Sequence, residues 1–308
     1  MSRTVRRLTA PANLLLAGEY AVTEEGGLGI GIAVEVRATL VRRDGPPRLR
    51  GILPGQDVEY PGSGGLFGKM AHQLFGDSLP DELGDVTIDT TAFFGPDGAK
   101  LGFGSSAALA VLLAACFVFP HQATLDEVFG RALAAHRAVH GGIGSGYDIA
   151  CSTYGGILLF TGGRSPTARR IDLPWLPPFR VHRGEAPVAT QGAMDRYTVW
   201  KSRNPGQAAE YIERSNELVR AICAAPSWST GGSLISEYAR HAMNLGRAIG
   251  VPATPPARLT GVSSGGPAEV MKCVGAGDEL AVSFHPEPGS ITTAGAALAV
   301  ATDGLLWE

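Results

Sequence analysis

The chain has 308 residues, of which 44% are hydrophobic and 18% are charged, and its formal net charge is −3. These values are typical of a folded soluble enzyme with a sizeable core, and they exclude the overall positive field that attracts nucleic acid. The four cysteines (Cys116, Cys151, Cys223 and Cys273) are far apart and form no CxxC pair. We therefore expect neither a metal knuckle nor a disulfide framework, and we expect a reducing, cytoplasmic compartment.

Two segments bear on membrane targeting. The arginine-bearing N-terminus is followed by a short apolar stretch that contains Pro11 and Asn13 and runs into Glu19, which is a poor signal peptide. The longest apolar run, residues 107–119, is too short to span a bilayer. The sequence therefore predicts no membrane partner.

The first half of the chain alternates strand and helix patterns. Residues 6–40 predict a strand, a glycine-rich turn and a second strand, because an apolar run, Leu14 to Leu16, precedes the GGLGIG stretch and Ile32, Val34 and Val36 alternate with other residues after it. Further along, the patterns predict helices over 68–75 and 125–139 and strands over 86–90 and 157–160. The chain contains no internal repeat or low-complexity tract.

The proline-dense segment Asp172–Phe179 is the best candidate for a boundary between two lobes, because prolines stiffen and expose the chain. We therefore predict lobes over residues 1–171 and 172–308. Beyond the boundary two helical faces are apolar, and 280–284 and 296–301 are predicted strands. The fold class is α+β. The first of the apolar faces comprises Ala208, Tyr211, Ile212, Ser215, Leu218, Val219 and Ile222, and the second comprises Leu234, Tyr238, Ala242, Leu245 and Ile249.

The run KLGFGSSAA, from Lys100 to Ala108, predicts a phosphate-binding loop that opens a helix. Gly102 and Gly104 let the backbone approach a ligand, and the N–H groups of the following helix suit a phosphate. A hydroxyl of Ser105 or Ser106 can reach phosphate or magnesium, while Lys100 supplies charge. The alternative is a tight glycine turn that a serine caps before a buried helix.

Two further glycine-rich segments carry charged residues. In GSGYD, Asp148 follows a glycine bend and can accept or orient the proton of an acceptor hydroxyl; its alternative role is the N-cap of a helix that begins at Ile149. The segment from Lys272 to Asp278 (KCVGAGD) can close over phosphates, or it is a plain helix-to-strand connection.

Taken in order, PANLLLAGEYAV (Pro11–Val22), KLGFGSSAA, GSGYDIA (Gly144–Ala150) and GAGD (Gly275–Asp278) resemble the GHMP kinase superfamily, and within it most closely the phosphomevalonate kinase family. The resemblance covers nearly the whole chain. It implies an N-terminal lobe like domain 2 of ribosomal protein S5, a ferredoxin-like C-terminal lobe, ATP with Mg²⁺, and phosphoryl transfer to a small, phosphorylated hydroxy acid such as 5-phosphomevalonate.

The resemblance also assigns roles to residues. It implies that Asp148 acts on the acceptor and that Lys100 bridges the phosphates, with Ser106 as the magnesium ligand. The triphosphate would be held by Gly102, Gly104, Ser105, Ser106, Ala107, Gly275, Ala276 and Gly277. The substrate-facing residues would be Glu19, Tyr20, Ser145, Arg196 and Lys201, although a solvated helix face is an equal alternative for Arg196 and Lys201.

The sequence departs from the family pattern at two places that matter for function. Asn13 stands where these kinases typically have a lysine, so more of the charge balance falls on Lys100, and the third glycine motif is abbreviated. The alternatives are another small-molecule kinase of the superfamily, acting on mevalonate or a sugar, and a ligand-binding homologue without catalysis. The sequence does not distinguish a monomer from a homodimer.

Overall fold

The computed structural model describes residues 5–62, 64–118, 124–142, 144–184, 190–255, 270–277, 279–284 and 296–307. Within these ranges strands and helices are intermixed along the chain. The strands are β1 (Val5–Ala17), β2 (Leu28–Arg43), β3 (Arg48–Leu53), β4 (Gln56–Tyr60), β5 (Asp85–Asp89), β6 (Ile157–Thr161), β7 (Thr167–Ile171), β8 (Phe179–Arg183), β9 (Val270–Val274), β10 (Leu280–Phe284), β11 (Ala296–Leu298) and β12 (Leu306–Trp307). The helices are α1 (Gly65–Phe75), α2 (Ser105–Val118), α3 (Leu125–Val139), α4 (Tyr147–Tyr154), α5 (Thr190–Arg203), α6 (Pro205–Ala224) and α7 (Trp228–Ile249).

Most predicted elements are confirmed, and the differences lie at their ends. Helix α3 has the predicted bounds, whereas α1 begins at Gly65 rather than at residue 68. The strand predicted over 296–301 is too long: β11 ends at Leu298 after pairing with β8, and Val300 instead pairs with Val34 of β2. At this point the chain passes from the sheet that contains β8 to the sheet that contains β2. The apolar run over 296–301 therefore pairs with two different strands.

The chain divides into two compact units, each built from separate segments. Unit 1 comprises residues 1–13, 32–156 and 300–308, and unit 2 comprises residues 14–31 and 157–299. The division falls inside β1 and inside β2, so each of these strands begins in one unit and ends in the other. The predicted boundary between residues 171 and 172 stays a prediction.

Unit 1 is a sheet with four helices. Strand β5 pairs antiparallel with β2 and parallel with β3, and β3 forms a hairpin with β4. Helix α2 contacts α1, α3 and α4, and every residue from Ala107 to Cys116 is buried. A helix that is apolar on all sides must be surrounded by protein, so α2 is the centre of this unit's core. The loop that opens α2 is therefore attached to the most buried helix of unit 1.

Unit 2 contains an antiparallel sheet in the order β11-β8-β10-β9, together with α5, α6 and α7. Helix α7 packs on β9 and against both α5 and α6. The predicted apolar faces of α6 and α7 point into this core, with Ile212, Leu234 and Ala242 half-buried and the others buried. The hairpin of β6 and β7 also belongs to unit 2.

No helix in the described part of the chain is both long enough and apolar enough to cross a membrane.

Helix α3 begins with a capping box, which gives a test of local stability in unit 1. The Thr124 hydroxyl accepts from the Glu127 N–H at 3.2 Å, and the Glu127 carboxylate accepts from the Thr124 N–H at 2.8 Å. We expect Thr124→Ala to lower the free energy of unfolding by about 1 kcal/mol, because one helix N–H loses its acceptor. Urea unfolding followed by circular dichroism measures this change.

The control is Thr198→Ala on α5, where the exposed hydroxyl only bonds back to the Met194 carbonyl within the helix. Its expected effect is within about 0.5 kcal/mol. Equal losses in the two variants would contradict a specific role for the cap.

Candidate active site

The predicted phosphate loop folds as a glycine bend directly before α2. Gly102 and Gly104 have φ angles of 79° and 77°, and α2 begins at Ser105. The carbonyl of Gly104 accepts from the N–H groups of Ala107 and Ala108. The serines are thus the first two helical residues rather than caps, so the serine cap of the alternative interpretation is wrong, whereas its glycine turn before a buried helix is present.

Asn13 lies directly against this loop and is 3% exposed. A Cβ at position 104 would overlap the Asn13 side-chain amide, so the close approach requires glycine there. The Asn13 N–H donates to the Phe103 carbonyl at 3.0 Å, and Nδ2 donates to the Asp148 carbonyl at 3.4 Å and to Ser152 Oγ at 3.3 Å. Asn13 thereby connects β1, the glycine loop and α4.

The GSGYD segment enters α4 through a left-handed residue, Gly146, with φ 91°. A Cβ there would overlap Leu133, so glycine permits both the turn and the packing. The guanidinium of Arg137 donates to the carbonyls of Gly144 and Ser145 at 2.9 and 3.2 Å. The Ser145 hydroxyl is buried and accepts from the Tyr147 N–H. The α3 C-terminus therefore holds the loop that carries Asp148.

Helix α4 begins at Tyr147 and Gly146 is its N-cap, so Asp148 lies in the first turn and the N-cap alternative for Asp148 is wrong. Its Oδ1 accepts from the Ile149 N–H at 3.0 Å. Its Oδ2 lies 3.9 Å from Nε2 of His136, and the same nitrogen lies 3.4 Å from Ser106 Oγ. The fold of unit 1 thus brings Ser106 and Asp148 to the same nitrogen of one imidazole.

Lys100 precedes the glycine bend with an exposed side chain, and its backbone pairs with Phe94. Its charge acts on His140, whose ring lies 4.4 Å from that of His136. Burial lowers the pKa of His140, His136 and Lys100 lower it further, and Asp148 opposes the shift. Lys100, the two histidines and Asp148 therefore share one electrostatic environment.

The donor set fits a nucleotide triphosphate with magnesium. Positive-φ glycines, helix N–H groups and two hydroxyls meet at the start of α2, and N–H and O–H groups of this kind can donate to phosphate oxygens. A serine hydroxyl is an oxygen ligand of the kind that Mg²⁺ takes together with phosphates and water. Among the described residues, no three His, Cys, Asp or Glu side chains are grouped to hold a metal.

In unit 2, Glu19 is buried and forms an ion pair with the buried Lys272. The Lys272 ammonium also donates to the Cys273 carbonyl at 2.7 Å and lies 5.4 Å from the centre of the Tyr238 ring. Burial raises the pKa of Glu19, while Lys272 and the Gly275 backbone oppose the rise. The carboxylate thus has its partners inside unit 2, and its assigned substrate contact stays a prediction.

Tyr20 follows with φ 61°, and its hydroxyl donates to the Ala276 carbonyl at 2.8 Å. Its ring is 8% exposed and lies 5.1 Å from that of Tyr197. This bond ties the first motif to the third glycine loop, in which Gly275 has φ 88°. Gly277 lines the same small cavity as Glu19 and Tyr20, whereas Asp278 lies outside the described residues.

Arg196 and Lys201, the predicted cations on α5, both have partners within unit 2. Arg196 donates to the Gly250 carbonyl, and Lys201 pairs with Glu24. Glu24 also accepts from the Tyr197 hydroxyl at 3.1 Å. Neither cation is simply solvated, and their assignment to the acceptor stays a prediction.

Sequence analysis does not select His136, Arg137, His140 or Lys272 as site residues. A usable signal exists for the histidines: they are four residues apart at the end of a predicted helix, so they share a face that precedes the GSGYD bend. No sequence pattern indicates that Lys272 reaches Glu19, which is 253 residues away.

Comparisons with known proteins show what this chain is similar to. Residues 68–156 match the family model for the GHMP kinases N-terminal domain. A phosphomevalonate kinase from Saccharolobus solfataricus is 30% identical over 163 residues, which are 49% of this chain and 48% of the relative. The match thus spans about half the length of that relative.

Solved structures match over most of the chain. A Lin0012 protein from Listeria innocua gives a TM-score of 0.78 at 22% identity, covering 93% of this chain and 92% of that one. A Streptococcus pneumoniae phosphomevalonate kinase in complex with phosphomevalonate and AMPPNP gives 0.70 at 16% identity, covering 94% of both. A Methanococcus jannaschii mevalonate kinase gives 0.68 at 16% identity, covering 92% and 90%.

These findings confirm the resemblance to the GHMP kinase superfamily and, within it, to the phosphomevalonate kinases. They also confirm the predicted fold class, the α+β fold of these kinases. Structural likeness at such low identity establishes the fold and leaves the acceptor to experiment.

The Glu19–Lys272 pair gives a stability test in unit 2. We expect Lys272→Met to lower the free energy of unfolding by about 3–5 kcal/mol at pH 8, because it leaves a buried carboxylate without its cation. Loss of Lys272 also removes the effect that lowers the pKa of Glu19. In this variant the pKa of Glu19 in the folded state lies above its value in the unfolded state. The free energy of unfolding of the variant therefore falls as pH rises from the unfolded-state pKa to the folded-state pKa. Destabilisation should therefore be smaller at pH 5 than at pH 8.

The matched control is Glu19→Gln with Lys272→Met, which removes both charges and should recover much of the stability without this pH dependence. Urea unfolding at both pH values measures the three proteins. A single variant as stable as the parent at pH 8 would contradict the importance of the pair.

Proposed function

We propose that this chain is an ATP-dependent phosphotransferase of the GHMP kinase type, whose acceptor is 5-phosphomevalonate and whose product is 5-diphosphomevalonate. One observation carries the proposal: unit 1 holds Ser106 of the glycine loop and Asp148 of GSGYD close to the same atom, Nε2 of His136. A phosphate cradle and a carboxylate are thus adjacent, which is the arrangement that phosphoryl transfer requires.

The glycine loop supplies the binding step. The N–H groups at the start of α2 and the backbone around Gly102 and Gly104 would hold the ATP phosphates, and Lys100 would neutralise charge on the transferring group. Ser106 would be the protein ligand of Mg²⁺, which when bound neutralises phosphate charge. These roles require no movement of α2, because the helix is fixed by its burial.

In the transfer step an acceptor oxygen forms a bond to the γ-phosphorus while the bond to the β,γ-bridging oxygen breaks, and ADP leaves. An alcohol acceptor must also lose its proton, which Asp148 can take. A phosphate acceptor differs, because its second pKa is about 6 and its oxygens are already ionised at pH 8. For 5-phosphomevalonate, Asp148 would therefore mainly orient groups and balance charge.

The curated phosphomevalonate kinase supports 5-phosphomevalonate as the acceptor. The structural match to a mevalonate kinase makes mevalonate a second candidate acceptor. A coupled ADP-release assay with mevalonate, 5-phosphomevalonate, homoserine and galactose tests the proposal. We expect kcat/KM for 5-phosphomevalonate to exceed that for the others by at least about 10³-fold, because a site that pairs a phosphate rejects analogues without it. ADP release with none of the four would overturn the proposal.

Asp148→Asn tests how the site treats its acceptor. With 5-phosphomevalonate we expect kcat to fall by about 10- to 100-fold through lost orientation, with the KM for ATP changed little. Loss of a general base for an alcohol would cost about 10²–10⁴-fold instead. Steady-state kinetics of the parent and the variant at saturating ATP distinguish the two by the size of the loss in kcat.

The matched control is Asp126→Asn, the same change in the first turn of α3, where the carboxylate only accepts from the Tyr154 hydroxyl. Its kcat should stay within about twofold of the parent. If Asp148→Asn behaved like this control, Asp148 would be a structural residue of α4.

A further inference from the structure

His136 lies in the last turn of α3 and is 8% exposed. Its Nε2 is 3.4 Å from Ser106 Oγ and 3.9 Å from Asp148 Oδ2, and its Nδ1 is buried with no hydrogen-bond partner among the described residues. One nitrogen thus faces two oxygens of the site, and the other faces the packed interior.

The neighbours decide which nitrogen carries the proton. The Asp148 carboxylate can only accept, and the Ser106 hydroxyl can either accept or donate. A proton on Nδ1 would be a buried donor without an acceptor, which is costly. The neutral imidazole therefore carries its proton on Nε2, directed at Ser106 and Asp148.

The Asp148 carboxylate then has a donor near each oxygen. The Ile149 N–H, 3.0 Å away, fixes Oδ1 from within α4, and His136 fixes Oδ2 from α3. The 3.9 Å separation is longer than a hydrogen bond, as is common at catalytic sites before substrate binds. Without His136, Oδ2 loses the donor that orients it, while the Ile149 N–H still holds Oδ1.

We propose that His136 is a positioning residue, which uses an Nε2 proton to orient the Asp148 carboxylate and the Ser106 hydroxyl toward the glycine loop. The proposal deepens the proposed function and rests on it, because it takes both oxygens as parts of a phosphotransferase site. An orienting group acts on the transfer step more than on ATP binding, so its loss affects kcat more than the KM for ATP.

Two near-isosteric variants separate this role from packing. The side-chain nitrogen of glutamine reaches the place of Nε2, whereas asparagine ends near Nδ1 and leaves the two oxygens without a donor. We expect His136→Asn to lower kcat by about 10- to 100-fold, with less than about threefold change in the KM for ATP. His136→Gln should recover most of kcat. Equal loss in both, or a loss confined to KM, would overturn the proposal.

The matched control is His72→Asn, the same change at an exposed histidine of α1 whose Nδ1 lies 3.2 Å from the Tyr60 hydroxyl. His72→Asn should lower kcat by less than about threefold. A loss as large as that of His136→Asn would indicate that the substitution acts through stability rather than through the Nε2 contact, and would overturn the assignment.

A measurement on the ligand-free protein tests the proposal without turnover. Imidazole nitrogen chemical shifts, assigned by the signal missing from His136→Asn, report the tautomer. We expect the Nε2–H tautomer for His136, and an Nδ1–H tautomer would overturn the proposal even if the kinase assay succeeds. Conversely, Nε2–H without ADP release for any acceptor would overturn the proposed function and leave the placement of the proton standing.

Discussion

The close approach of Asn13 to Gly104 is the constraint on which the site in unit 1 depends. Because position 104 has no side chain, the Asn13 amide reaches the Asp148 carbonyl and Ser152 Oγ. Ser152 in turn donates to the Pro11 carbonyl at 2.7 Å, which closes the connection onto β1. The glycine loop, the first turn of α4 and strand β1 thus share one buried polar group.

This neutral amide changes the charge balance expected of the site. A lysine at position 13 would add a buried cation beside the phosphates, whereas asparagine supplies only hydrogen bonds. Lys100 is exposed, and its charge acts on His140. The lysine charge next to the glycine loop is therefore on an exposed side chain, whereas Arg137 donates to the carbonyls of the loop that carries Asp148.

In unit 2 the cationic side chains considered above already have partners. Lys272 is committed to Glu19, and Lys201 to Glu24, while Arg196 donates to a backbone carbonyl. An anionic ligand would have to compete with Glu24 for Lys201, which favours a doubly charged phosphate over a single carboxylate. The buried pair is different, because separating Glu19 from Lys272 leaves two charges in a low-dielectric interior. It ties the first motif to the strand before the third glycine loop.

Local patterns in the sequence determined most elements. The apolar period and the Thr124–Glu127 capping box define α3, and glycines at positions that need positive φ mark the loops before α2 and α4. Each of these signals spans only a few residues, so it can be recognised in the sequence without knowledge of the fold. The chemistry of KLGFGSSAA and GSGYD follows from the same kind of local evidence.

Only the tertiary structure decided which of these segments meet. His136 joins Ser106 to Asp148, Asn13 reaches Gly104, and Lys272 reaches Glu19, each across separations that no periodicity encodes. It also decided that Tyr20 bonds to Ala276 and that Asp148 is not a helix cap. The physical reason is that burial and long-range packing assign partners to polar groups, whereas sequence spacing reports only neighbours on one strand or helix.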